Sequence, residues 1–464
     1  MRSQLADREI LRQAMKLSVP VMLEEALGVA VGYIDAAMVG RLGPAASASV
    51  GMTASVTWLV YSPLWAMGIA LMSVVSQAFG AGDERTARRA GVQSLVIALG
   101  LGLGIGALTV GISPFLPGWM GAEPALHADA SAYFRIVCLP MVFRAFLVIF
   151  AYVLRAAHEV HFPLKVNIGV NLINVLLNRL LIYGPTERSF FGLSLSIPGA
   201  GLGVRGAAYA TAISVTLGGV VMLCALLLHP RVRPTEGFSI DPAILGKILR
   251  IGIPAALTHL GTMLGHVVFA SQVTRLGTTA LAAHTIALTA EEAFYIPGYG
   301  MQTATATLCG NALGAGDERR LERTAKIMMS LSALLMTLTG AILLLIPGVM
   351  MRIFTGDAQV IALGAMVLRL VALSEPVYGI GIILDGVYDG IGETRIPLVC
   401  SVTTMWGIRI ALTYVVIRFL GLGLTAVWAC MVANNLTKTA LELGIFLSGR
   451  WKRRLKLQGG GQNA

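Results

Sequence analysis

Asp35 stands in an apolar stretch, residues 19–43, together with Glu24 and Glu25. A carboxylate in such surroundings can bind a cation or carry a proton, because burial favours its neutral form and a bound cation favours its charged form. A second apolar stretch offers it partners. Asn171, Asn174 and Asn178 follow an i, i+3, i+7 spacing, which puts all three on one helical stripe. One carboxylate with several amide oxygens at similar depth suits a hard monovalent cation or a titrating proton, and either occupancy can bias the packing of the two helices. The competing reading of the asparagines is interhelical polar packing. Asp35 and Glu24 share a helical face, about 20° apart but separated by roughly 16 Å along the axis, and Glu25 points elsewhere.

The second half of the chain carries its own candidates. Glu291 falls midway through an apolar segment, six residues before Pro297, whose missing N–H frees a carbonyl and favours a kink. It is read as a group for a cationic substrate or for coupling, and Glu292 as a packing or lining acid. Tyr33, Tyr61, Tyr295 and Tyr299, with Trp58 and Trp65, can stack on a flat cation or serve as core and interfacial rings. Asp385 and Asp389 share a face beside Glu393 and Arg395, as a solvated or salt-bridged mouth would. His259 and His266 suit hydrogen-bonded packing or a proton relay. The candidate substrate cavity is therefore Glu291, Asn171, Tyr33, Tyr61, Tyr295, Asp385 and His259. His158 and His161 have metal-compatible spacing but no further ligands, so no metal site and no cofactor are expected.

The elements that must hold these groups are membrane helices. The chain of 464 residues is 56% hydrophobic and only 13% charged, with a mean hydropathy of +0.76, well outside the soluble globular range. Segments of about 20 apolar residues, enough to cross the hydrocarbon, fall near 17–40, 49–78, 90–113, 131–156, 163–184 and 203–228. A second set falls near 252–275, 280–310, 325–348, 360–388, 396–419 and 422–448. The expected fold is all-α, with twelve transmembrane helices.

The halves repeat. Pro20 and Pro254, Pro63 and Pro297, Gly80 and Gly314, and Pro163 and Pro397 are each separated by 234 positions, and a GAGDER hexapeptide occurs at both 80–85 and 314–319. Two six-helix lobes of like orientation follow, at 1–228 and 243–448, related by a pseudo-two-fold axis along the membrane normal. Residues 229–242 link them and 449–464 form a basic tail. The register breaks once, at 189–200, and Asp35 has Phe269 as its counterpart.

The net charge of +11 does not indicate nucleic acid, because the Lys and Arg residues sit in short connectors between apolar runs. They concentrate after the even-numbered spans, as at Arg85, Arg88, Arg89, Arg319, Arg320 and Arg323. By the positive-inside rule both termini are cytoplasmic in a cell membrane. The five cysteines are dispersed and read as small buried hydrophobes. No cleavable signal is expected, and no phosphate-binding loop is present in the sequence; the glycines at 100, 102, 104 and 106 read as helix packing. Energy must then come from a gradient or a partner.

These motifs together resemble the multidrug and toxic compound extrusion family. The resemblance rests on Pro20 through Asp35 to the GRLG at 40–43, the two GAGDER loops, the AAHTIAL at 282–288 and the Asn-rich fifth helix. It implies a twelve-helix, two-lobe antiporter that exports amphipathic, often cationic, small organic molecules against Na⁺ or H⁺. The expected partners are those small molecules and membrane lipids, the expected state is a monomer, and no nucleophile, base or metal constellation points to an enzyme. The resemblance further implies that Asp35 and Asn174 belong to a cation site with Thr211 as a sixth-helix hydroxyl, and that Asn178 stands where part of the family has a second aspartate. Asp389 departs from a more usual Arg. A lipid-linked precursor flippase on a related fold is the alternative, and it would call for a basic cavity, for which Arg144, Arg179, Arg369 and Arg409 are the candidates.

Overall fold

The computed structural model describes residues 2–190, 193–234 and 239–452. Helices occupy all of the expected spans. The first half holds α1 (Arg2–Gly40), α2 (Pro44–Gly80), α3 (Glu84–Ile112), α4 (His127–Cys138), α5 (Met141–Ala156), α6 (His161–Ile182) and α7 (Gly203–Leu228). The second half holds α8 (Pro242–Val273), α9 (Thr278–Gly314), α10 (Glu318–Leu345), α11 (Ala358–Ala372), α12 (Glu375–Ile391), α13 (Arg395–Arg418) and α14 (Leu424–Leu447).

Two expected spans are bent pairs, α4 with α5 at 49° and α11 with α12 at 60°. Each bend falls at a proline: Pro140 precedes α5 and Pro376 lies at the start of α12, positions where a missing N–H breaks no intrahelical bond. Among the described residues, eight single helices and these two pairs are long and apolar enough to cross a membrane. The two that fall short, α9 and α14, have the length. They are the helices that carry Glu291 and Glu292, and Asn434, Asn435, Lys438 and Glu442. Within α13 the turn Met405–Ile410 is π-helical.

The repeated hexapeptide folds the same way twice. Gly82 and Gly316 take left-handed φ values of +70° and +69°, and the following Asp83 and Asp317 cap α3 and α10. Asp83 accepts from the Thr86 N–H at 3.0 Å and Asp317 from the Arg320 N–H at 2.8 Å. Hydrogen bonds from Thr86 hold the Asp83 carboxyl below its usual range, as expected for a helix cap. The register break at 189–200 is explained by an antiparallel hairpin, β1 (Thr186–Phe190) with β2 (Leu193–Ile197), in which Thr186 opposes Ile197. The second half has only a short connector there, between Arg418 and Leu424.

The chain divides into two compact units. The first consists of Leu23–Val75 and Asp83–Leu249; the second takes the residues up to Met22, Ser76–Gly82 and those from Arg250 on. Packing thus divides α1 and α2 internally, unlike a single cut at residue 228. In the first unit Val39, Ile182, Val204 and Ala207 form one apolar cluster. The linker stretch lies on α3, where Gln93 donates to the Ser239 carbonyl at 2.9 Å and Arg89 pairs with Asp241 at 3.3 Å; residues 235–238 lie outside the described residues. Of the glycine run in α3, Gly102 and Gly106 abut α5 while Gly100 and Gly104 face open space, the spacing of one packed face.

In the second unit Phe269, Leu343, Met351, Leu368 and Trp428 anchor a larger core. The basic tail begins with Lys452, which pairs with Glu318 at 3.5 Å and with Glu322; its residues 453–464 lie outside the described residues. The ends of α2 and α9 cross backbone to backbone: a Cβ on Gly314 would lie 1.9 Å from the Gln77 carbonyl oxygen, and one on Gly80 would lie 2.0 Å from that of Asn311. Gly314→Ala is accordingly expected to destabilise the protein by about 1–3 kcal/mol through overpacking. Thermal melting in detergent measures this, and an unchanged midpoint would contradict so close a crossing.

Candidate functional site

Asp35 projects from α1 in the first unit towards α6 and α7. Asn178 Nδ2 donates to Asp35 Oδ1 at 2.6 Å. Asn174 lies one turn away, and the end of its amide that faces Asp35 sits 2.9 Å from Oδ1 and 3.2 Å from Oδ2. That amide fits in two orientations. With nitrogen towards Asp35 it donates to the carboxylate while its oxygen accepts from the Thr211 hydroxyl at 3.3 Å. With oxygen towards Asp35 it accepts from Asn178 Nδ2 at 3.1 Å and donates through Nδ2 to Thr211 Oγ1 at 3.3 Å. Asn174 and Asn178 are buried, whereas Asp35 and Thr211 are half-buried. Asn178 Oδ1 is buried and has no hydrogen-bond partner.

Asn171 continues the stripe on α6 as a half-buried residue. Glu24 does not join the cluster. Its Oε1 accepts from Arg155 Nη2 at 2.6 Å and from Asn167 Nδ2 at 2.7 Å, so its partners are the ends of α5 and α6 nearest the turn between them. The spacing that put it on Asp35's face also put it three helical turns away. Tyr33 is exposed on α1, and Tyr61 is buried beneath the Arg144 guanidinium, 4.3 Å from its ring centroid. That ring face is already covered by a cation.

In the second unit a cavity of about 200 Å³ is lined by Glu291, Glu292, Tyr295 and Tyr299 from α9 and by Tyr378 from α12. Thr262 and His266 from α8, Met405 and Arg409 from α13, and Asn434, Asn435 and Lys438 from α14 are also part of its wall. The Tyr295 hydroxyl donates to Glu291, and the Tyr295 and Tyr378 rings are 4.7 Å apart. Asp385 is engaged instead with Lys438 Nζ at 2.6 Å, which also lies 3.7 Å from Glu442. His259 is not among the residues lining this cavity. Asp389 accepts from Gln302 Nε2 at 3.3 Å.

A sequence profile described as MatE matches residues 20–180 and again 254–415. The chain belongs to the MatE family. Its relatives include the probable multidrug resistance protein NorM of Thermotoga maritima, 27% identical over 451 residues that cover 97% of this chain and 95% of that one. The multidrug resistance protein PmpM of Pseudomonas aeruginosa is 24% identical over 463 residues, covering 97% of this chain and 93% of its own.

Solved MatE folds superpose closely. An outward-facing multidrug resistance MATE family transporter of the MOP superfamily gives a TM-score of 0.86 at 24% identity, covering 97% of each chain. A MOP superfamily transporter from Pyrococcus furiosus gives 0.85 at 23% identity, covering 95% of each. The helical, two-lobed fold of this family, here with one added β-hairpin, is therefore the fold of this chain, which is a multi-pass membrane transporter and not an enzyme.

Three features of this MatE chain are weakly signalled in its sequence. The Glu24–Arg155 pair joins residues 131 positions apart. Lys438 and Glu442 are four apart on α14 and announce a local ion pair, but not Asp385 as its third member. Glu375 is fully buried with both carboxyl oxygens lacking a hydrogen-bond partner, and nothing in its sequence surroundings sets it apart.

Proposed function

We propose that the protein is a secondary antiporter of a cell membrane, with both termini cytoplasmic. It exports amphipathic or cationic organic compounds as a monomer, by alternating access in exchange for H⁺ taken at Asp35. The names of its relatives as multidrug resistance proteins support the substrate class. The coupling site rests on one observation: Asp35 has partners for both of its protonation states in a single arrangement of helices. An ionised Asp35 receives N–H groups from Asn178 and Asn174. A protonated Asp35 donates to the Asn174 oxygen, whose amide nitrogen then turns to Thr211.

Proton loss thus reverses the amide of Asn174 and the direction of its bond to α7, while Asp35 and the Asn174 amide stay hydrogen-bonded in both states. A shift between two packings needs such a differential interaction with the ion. The unpartnered Asn178 Oδ1 favours a second reading, in which Na⁺ is gathered by oxygens of Asp35, Asn174 and Asn178.

Purified protein in liposomes, given a pH gradient or a Na⁺ gradient separately, should export an organic cation under the pH gradient alone. Export driven by Na⁺ and not by pH would replace the proton with sodium. Export under neither gradient would refute antiport.

A further inference from the structure

The second unit holds a charge that the proposed cycle leaves unused. Arg409 is only 5% exposed and lines the cavity. Among the described residues it forms no ion pair with a carboxylate. Its Nη1 meets His266 Nδ1 at 3.4 Å, its guanidinium lies 5.2 Å over the Phe269 ring, and its buried Nε has no hydrogen-bond partner. A buried guanidinium without an anion is costly, and such groups are retained where an anion completes them. Lys438, the other cation on the wall, is already held by Asp385 and Glu442.

The backbone that presents Arg409 is irregular. The two profile matches begin at 20 and 254, 234 residues apart, and end at 180 and 415, 235 apart. The π turn Met405–Ile410 holds one residue more than an α turn would, and π turns inside α-helices are frequent at functional sites. Within that turn Arg409 stands 235 residues after Asn174, the spacing at which the two matches end, and Phe269 stands 234 after Asp35. Where the first unit sets amides around a carboxylate, the second sets a guanidinium over a ring. The same cavity is also lined by acidic and aromatic side chains, Glu291, Glu292, Tyr295 and Tyr378. No ion pair closes the gap between Arg409 and Glu291, so both signs remain available to a ligand.

We propose that this cavity binds the head group of an organic zwitterion, with Arg409 taking a carboxylate and Glu291 with its tyrosines taking a planar cation. Guanidinium and carboxylate match as a two-point, charge-assisted pair, and aromatic faces attract a delocalised cation. At about 200 Å³ the cavity holds a head group rather than a whole drug-sized molecule. The inference rests on the export reading for the fate of the ligand, but its binding is tested without transport.

The test uses purified full-length protein and two fluorescent probes: a rhodamine dye with a free carboxylate, and the methyl ester of the same dye. By fluorescence anisotropy the wild-type protein should bind the acid roughly tenfold more tightly than the ester, the size of effect expected of a hydrogen-bonded charge pair. Arg409→Gln should erase that preference, Arg409→Lys should keep part of it, and Glu291→Gln should weaken both dyes. Equal binding of the two dyes by the wild type overturns the proposal even if no Arg409 variant folds. So does an Arg409→Gln protein that still prefers the acid. Binding of phosphatidylglycerol vesicles in place of either dye overturns it in favour of a lipid head group. Wild-type export in liposomes is read separately: acid preference without gradient-driven export removes the antiport reading alone, and export without acid preference removes the zwitterion site alone.

Discussion

Asp35→Asn is expected to lower ion-coupled export sharply while leaving the protein folded. The asparagine keeps the shape of the carboxyl group, and its amide finds Asn174 and Asn178 at the distances that serve the native side chain, 2.6 to 3.2 Å. What it loses is the ability to change charge. Without that change the ion has no differential affinity for two packings and cannot shift their populations. Coupling free energies of about 1–3 kcal/mol correspond to roughly 5–150-fold, so gradient-driven flux in liposomes should fall by that order while the melting midpoint stays near wild type. Full coupled transport by this variant would sink the assignment of the site and leave the fold untouched.

The second large effect concerns Glu24. Its side chain is 12% exposed and that of Arg155 only 7%, at a separation of 2.6 Å. Removing one member of such a buried pair leaves an uncompensated charge, a loss of about 3–5 kcal/mol, whereas removing both is far less damaging. Arg155→Met should therefore lower the melting temperature sharply, and adding Glu24→Gln should recover most of the loss. A double variant no more stable than the single one would show that the pair is not energetically linked. Flux measured per folded molecule separates this role from coupling: Glu24→Gln should keep its response to the gradient where Asp35→Asn does not.

Much of the fold was legible because the chain states it twice. The prolines at 20 and 254 and the two GAGDER loops fix both halves to one register. Their physical content is local, a left-handed glycine followed by a capping aspartate, and local rules survive without tertiary context. The Asp35 group was legible for a related reason. Its asparagines lie on one stripe of one helix, and a carboxylate in an apolar stretch demands partners.

Glu24 was legible as an unusual residue and not as an ion pair. The choice between Asp35's surroundings and Arg155 is made by how α5 and α6 pack, which helical spacing does not encode. Asp385 was expected at a solvated or salt-bridged mouth and is salt-bridged by Lys438, a partner 53 positions away. Arg409 was harder still. Counting 234 residues back from it reaches Val175, an uninformative position, because the count passes through a turn that is not α-helical.

That π turn also bears on how the two halves diverged. If they descend from one duplicated segment, the hairpin at 186–197 and the turn at 405–410 are where the copies ceased to be interchangeable. The hairpin added length outside the helices. The turn is a change of a single codon, yet it rotates every later side chain of α13 by about 100° relative to the earlier ones. A one-codon deletion within 405–408 would return α13 to the 234-residue register of the first half, with Arg409 brought to the counterpart of Asn174, without altering a lining side chain on any other helix.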